Sequence, residues 1–230
     1  MNRIKKIILY GLGGLTALAF IPLFAAFEAH VINVTAQIEN SLFVHPQSRQ
    51  FGTVFPQEYK EQGIFVTFSE SFSAAEQTRV GNIDYQIVQK PKPRPEYESQ
   101  AGKDAARLWC HNNYPQSPFD PNDPVWISYL ANCYPLLCPY LSKTPDNFPL
   151  PGNDIGVPAF HDPFAVSSIA KGTINKFGAD VGDNWVIDLD VPCFKGQCAQ
   201  DWTHQGWELP PQLEHQVFGC DLWVEVTKIY

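Results

Sequence analysis

The sequence predicts a mainly β protein: an antiparallel β-sandwich, jelly-roll or immunoglobulin-like, carrying a Pro/Cys-rich, partly helical insertion. Three observations carry this reading. Twenty prolines and 13% aromatic residues stand against a single methionine, a composition of turns and strands rather than of a helical bundle. Period-two alternation of apolar and polar residues recurs towards both ends of the chain. Apolar residues make up 44% and charged residues 17% of 230 positions, enough for one ordinary core and too apolar for a disordered or collagen-like polymer.

The first element is a leader. Arg3, Lys5 and Lys6 precede an uncharged, apolar run from Ile7 to Phe27, which has the layout of a signal peptide or a membrane anchor. Gly11, Gly13, Gly14 and Pro22 break that run, and the small residues Ala25 and Ala26 close it, which favours the signal peptide. Residues 1–26 are therefore set apart from a single body over 27–230, expected to be secreted or held at the cell surface. Cleavage there removes three of the 16 basic residues and none of the 24 acidic ones. The exported body is acidic, and nucleic acid is excluded as a partner because neutralising phosphates needs clustered Lys and Arg.

Strands follow in order. Ile32, Val34, Ala36 and Ile38 share one face of a half-buried strand that begins at His30. Residues 51–58 (FGTVFPQE) read as a turn-rich corner. Ile64, Val66, Phe68 and Phe72 predict a strand over 64–72, and Ile83, Tyr85 and Ile87 one over 83–88. The alternating prolines of KPKPRPEYE favour an extended segment outside any central strand and open the insertion, about 90–180. Within it, helices are expected over 104–112, 125–131 and 164–177. Alternation returns with Trp185, Ile187, Leu189 and Val191, and again with Leu222, Val224 and Val226. Trp185 and Trp223 are assigned to packing.

Six cysteines, Cys110, Cys133, Cys138, Cys193, Cys198 and Cys220, suit an oxidising compartment and read as disulfides. The sequence leaves their connectivity open, apart from a preference for Cys193–Cys198 closing the FKGQ turn. Structural zinc is disfavoured because no C-x2-C or H-x3-H spacing occurs.

No catalytic or metal-ligating residue is assigned. The chain has no H-E-x-x-H, G-x-S-x-G, P-loop or G-x-G-x-x-G pattern. Ser168 and Lys171 satisfy S-x-x-K but read as a solvated helix face. His161-Asp162 reads as a helix cap. Asn33-Val34-Thr35 fits a glycosylation sequon. Asp188 and Asp190, with Asp180 and Asp183 nearby, project from a strand and read as solvated surface. Calcium is the one cation they could serve, and no cofactor is otherwise expected. Trp202 and Trp207, in DWTHQGWE, are the pair that could form an exposed aromatic patch.

The junction AAF followed by EAHVINVTAQIE resembles the processing region of the TasA/camelysin family of exported bacterial surface and biofilm-matrix fibre proteins. FGTVFPQEYKEQGIFVTFSESF, VGDNWVIDLDVP and GCDLWVEVTKI are similar to later parts of such proteins. Together these stretches cover about the first 90 and last 50 residues. The resemblance implies cleavage between Ala26 and Phe27 by a dedicated signal peptidase after passage through the secretion machinery. It also implies a jelly-roll subunit that self-associates into extracellular fibres through its N-terminal strand. Camelysin is classed as a metalloendopeptidase, so the resemblance brings a surface peptidase as the enzyme alternative, and an exported carbohydrate- or partner-binding module is the third reading. The membrane enters only through the N-terminal segment.

Overall fold

The computed structural model describes residues 40–73, 81–145, 168–201 and 206–230, all within one compact unit, Glu39–Tyr230. The leader, the 30–38 strand with Ile32, Val34, Ala36 and Ile38, the cleavage pair Ala26/Phe27, His161-Asp162 and Trp202 lie outside the described residues.

The protein is mainly β. Seven strands, β1 (Leu42–His45), β2 (Tyr59–Phe68), β3 (Asn82–Lys90), β4 (Leu141–Pro145), β5 (Ala170–Asn175), β6 (Gly182–Asp190) and β7 (Asp221–Ile229), form two sheets. One sheet runs β1-β2-β6-β4 and the other β5-β3-β7, and every pairing is antiparallel. Alternation explains the core. Ile64, Val66 and Phe68 of β2 meet Trp185, Ile187 and Leu189 of β6, and these join Ile83, Tyr85, Ile87, Ala170 and Ile174 from the other sheet in a single apolar cluster.

Four expectations are corrected. The β2 strand ends at Phe68 rather than Phe72, because Glu70–Ser73 turns into a short helix, α1. Ser69 starts that helix: its Oγ accepts from the Phe72 N–H at 3.2 Å, and its carbonyl accepts from the Ser73 N–H at 2.9 Å. At its other end β2 reaches back to Tyr59, drawn out by pairing with the nine residues of β6. The helix expected over 164–177 is overturned over its described part, where Ala170–Asn175 is strand β5. There Ala170, Gly172 and Ile174 face inward while Lys171 faces solvent, so Ser168 and Lys171 share no helix face. The polyproline reading of 90–98 stops at Arg94, since Pro95 begins a helix.

The stretch between β3 and β4 holds the three longer helices of the described residues. They are α2 (Pro95–Ala101), α3 (Lys103–Asn112) and α4 (Pro124–Asn132). The Asp123 side chain accepts from the Val125 N–H at 2.9 Å and Pro124 opens the first turn, so the Asp-Pro pair dictates where α4 begins. A second small core of Cys110, Trp126, Tyr129 and Cys133 holds α3 to α4. Farther along the expected insertion, β4 and β5 belong to the sheets themselves, one in each.

All six cysteines are paired. Cys193–Cys198 closes the local turn as expected, Cys110–Cys133 ties α3 to the end of α4, and Cys138–Cys220 joins the approach to β4 with the approach to β7. Because β4 and β7 belong to different sheets, this third bridge clamps one sheet to the other.

Candidate functional site

Two surfaces carry chemistry, the free edge of the three-stranded sheet and the outer face of the four-stranded one. Among the described residues β7 pairs only with β3, so one side of a nine-residue strand offers its backbone groups outward. Leu222 and Val224 pack on the core, whereas Val226, Ile229 and Tyr230 are each more than 40% exposed.

The opposite face of β7 is occupied by its own contacts. Lys90 Nζ donates to Glu225 Oε1 at 2.7 Å and lies 3.5 Å above the Trp223 ring. Gln86 Nε2 donates to Glu225 Oε2 at 2.9 Å, and Arg107 of α3 donates to Asp221 Oδ2 at 2.9 Å. The hydrogen bond from Lys90 holds the Glu225 carboxyl below its ordinary range, against the opposing effect of burial. Trp223 is thus held beneath two cations, consistent with packing rather than with an exposed platform.

On the outer face of the other sheet, strand register sets Glu61 of β2, Asp188 of β6 and Ser142 of β4 side by side in one row. The expectation that Asp188 is solvated surface is corrected here. It is only 9% exposed, and its Oδ2 accepts from Ser142 Oγ at 2.8 Å and from Thr144 Oγ1 at 3.2 Å. Its Oδ1 is buried and has no hydrogen-bond partner. Tyr59, two residues before Glu61 on the same face, donates its hydroxyl to Glu61 Oε1 at 2.7 Å. That bond, then burial, then a hydrogen bond to Asp188 and the charge of that carboxylate, push the phenol well above its usual range.

The other aspartates do different work. Asp183 is 1% exposed and accepts a hydrogen bond from the Tyr85 hydroxyl, which in turn accepts from Trp185 Nε1 at 2.8 Å. Asp180 is buried beside the β5–β6 turn, and Asp190 sits opposite Tyr59 in the register. Lys143, opposite Ile187, is fully buried on the core side of β4, and burial pulls its ammonium down to about 7.

A third feature is a shallow cavity of about 220 Å³ lined by Tyr114, Trp126, Tyr140, Leu213 and Phe218, smaller than the roughly 300–1,000 Å³ of most ligand sites. Trp207 is half-buried, so the exposed aromatic patch is not established by its described member. Among the described residues no three His, Cys, Asp or Glu side chains form a metal cage. The roles of Glu61, Tyr59 and Lys143 were missed by sequence reasoning, since alternation alone reports the face of a side chain and not what covers it.

The fold and its edges define a disulfide-closed, two-sheet antiparallel β protein. No family model, curated protein or solved structure matches the chain.

Proposed function

We propose that the protein is an exported structural subunit, a β-sandwich of the jelly-roll kind that assembles into extracellular fibres or matrix through its N-terminal strand. The observation that carries this reading is the outer side of β7, nine residues long and unpaired among the described residues. A strand edge of that length is a template for another strand. The segment with Ile32, Val34, Ala36 and Ile38 on one face has the length and alternation to fill it, with its apolar face extending the layer of Leu222 and Val224. Two further observations support the proposal. The two sheets share one core, as a sandwich requires, and three disulfides suit an oxidising compartment outside the cytoplasm.

Electron microscopy of the purified native product tests it. The wild-type protein forms fibres, Val34→Asp abolishes them by placing a charge on the buried face of the donated strand, and a chain starting at Leu42 stays monomeric. Fibres from either variant, or none from the wild type, overturn the proposal.

A further inference from the structure

We propose that the aromatic cavity between the helix pair α3/α4 and residues 209–218 binds an uncharged, proline-rich segment of a partner protein in the extended polyproline conformation. The inference goes beyond the structural role proposed above and does not depend on it.

Three pieces of chain build the cavity, and a disulfide fixes each. Cys110–Cys133 ties α3 to the end of α4, the helix that carries Trp126. Residues 135–140 are held by Cys138–Cys220. Two backbone bonds of 3.0 Å reinforce them, from the Gly219 N–H to the Pro135 carbonyl and from the Leu137 N–H to the Gly219 carbonyl. The turn closed by Cys193–Cys198 grips Leu209. There the Leu209 N–H donates to the Cys193 carbonyl and the Lys195 N–H to the Leu209 carbonyl, each at 2.9 Å. The rings are held as firmly. Trp126 Nε1 donates to the Pro118 carbonyl at 3.0 Å, and Tyr114 and Phe119 meet the Trp126 ring at 80° and 71°. Tyr129 backs Tyr114 and Trp126, with ring centroids 5.4 and 6.1 Å away. Walls fixed in this way lose little freedom when a ligand arrives.

The lining identifies the class of ligand. Tyr114, Phe119, Trp126, Tyr140 and Phe218 supply rings, and proline and leucine supply most of the rest. Among the described residues no charged side chain lines the cavity, so an ion would lose its hydration there without gaining a counter-charge. Apart from the committed indole, the polar side chains of the lining are the hydroxyls of Tyr114, Tyr140 and Ser117. Burial first, and the neighbouring Tyr114 second, hold the Tyr140 phenol protonated far above its usual range. A carbohydrate is disfavoured, because its many hydroxyls seek carboxylate and amide partners and the described lining has neither. A proline-rich segment matches these walls. Its rings stack on aromatic faces, its backbone offers carbonyl acceptors with few N–H donors, and the polyproline helix has no internal hydrogen bonds to break. At about 220 Å³ the cavity is too small to enclose a drug-sized ligand, but it takes a short piece of a segment that runs on past it.

Calorimetric titration of the purified full chain with a blocked hexaproline peptide tests the site. The wild type binds it saturably and does not bind a Gly-Ser peptide of equal length. Phe218→Ala, which removes one ring of the wall, weakens binding about tenfold or more. Tyr114→Phe, which keeps the ring and the fold and removes only the hydroxyl, weakens it about two- to tenfold. Phe55→Ala, in an exposed corner outside the cavity, leaves it unchanged. No saturable binding of hexaproline by the wild type, equal binding of the Gly-Ser peptide, tighter binding of cellohexaose, or an affinity unchanged in both cavity variants overturns the inference. The readout needs neither export nor fibres, so a chain that binds hexaproline yet never polymerises refutes the proposed function and leaves the site standing.

Discussion

Removing the Cys138–Cys220 bridge should be the most damaging cysteine change. The bond closes 82 residues of sequence, a loop that holds β4 and β6 of one sheet and β5 of the other. Loop-closure entropy for that length is worth about 4.5 kcal/mol at room temperature, against about 3.4 kcal/mol for a separation of 23 residues and about 2 kcal/mol for one of 5. Domains of this size are stable by only about 5–15 kcal/mol in all. The double substitution Cys138→Ala/Cys220→Ala should thus remove a large share of stability and lower Tm by about 10 °C or more. Cys193→Ala/Cys198→Ala should cost less than half as much. Equilibrium urea unfolding of the three paired variants, followed by tryptophan fluorescence, measures the order. Equal losses for the three pairs, or a greater loss at Cys193–Cys198, would refute the clamp between sheets.

Other perturbations probe single contacts. Lys143 keeps its proton to about 10.5 when unfolded but releases it near 7 when folded, so the unfolded state binds more protons in that window and stability rises with pH. Unfolding measured at about pH 7.5 and about pH 9 should show a gain of roughly 2 kcal/mol in the wild type and none in Lys143→Met; a flat wild-type profile contradicts the buried amine. At Gly172 an added Cβ would fall inside van der Waals contact with the Tyr85 ring, so Gly172→Ala should cost about 2–3 kcal/mol in thermal unfolding, and a change under about 0.5 kcal/mol counts against the packing. Tyr85→Phe takes away the acceptor of Trp185 Nε1 and a donor to Asp183. It should destabilise by about 1–3 kcal/mol and shift the Trp185 emission, whereas a neutral change would show that the buried network contributes nothing.

Much of the fold was legible because alternation is a local signal. Ile83, Tyr85 and Ile87, and likewise Trp185, Ile187 and Leu189, stand two residues apart and all enter the core. Tyr59 to Gln62 carry no such pattern and become strand only because β6 is there to pair with them. Leu141–Pro145 is as short as a turn, and its inward Lys143 breaks the alternation that would have flagged it. The strand over Ala170–Asn175 hides behind Ala170 and Gly172 at two of its buried positions, and the missing side chain of Gly172 leaves room for the Tyr85 ring. Cys193 and Cys198 sit beside Gly196, whose φ of +86° makes the turn. The other two disulfides depend on tertiary packing that spacing does not report. For the acidic row, period two placed Asp188 outward, and only the edge strand β4 with Ser142 and Thr144 buries it.

Intact-mass analysis of the native product, joined to a non-reducing peptide map, tests export and oxidation in one measurement. The account predicts a chain beginning at Phe27 with all six cysteines blocked, linked 110–133, 138–220 and 193–198. A chain that retains Met1 and carries reactive thiols would contradict it.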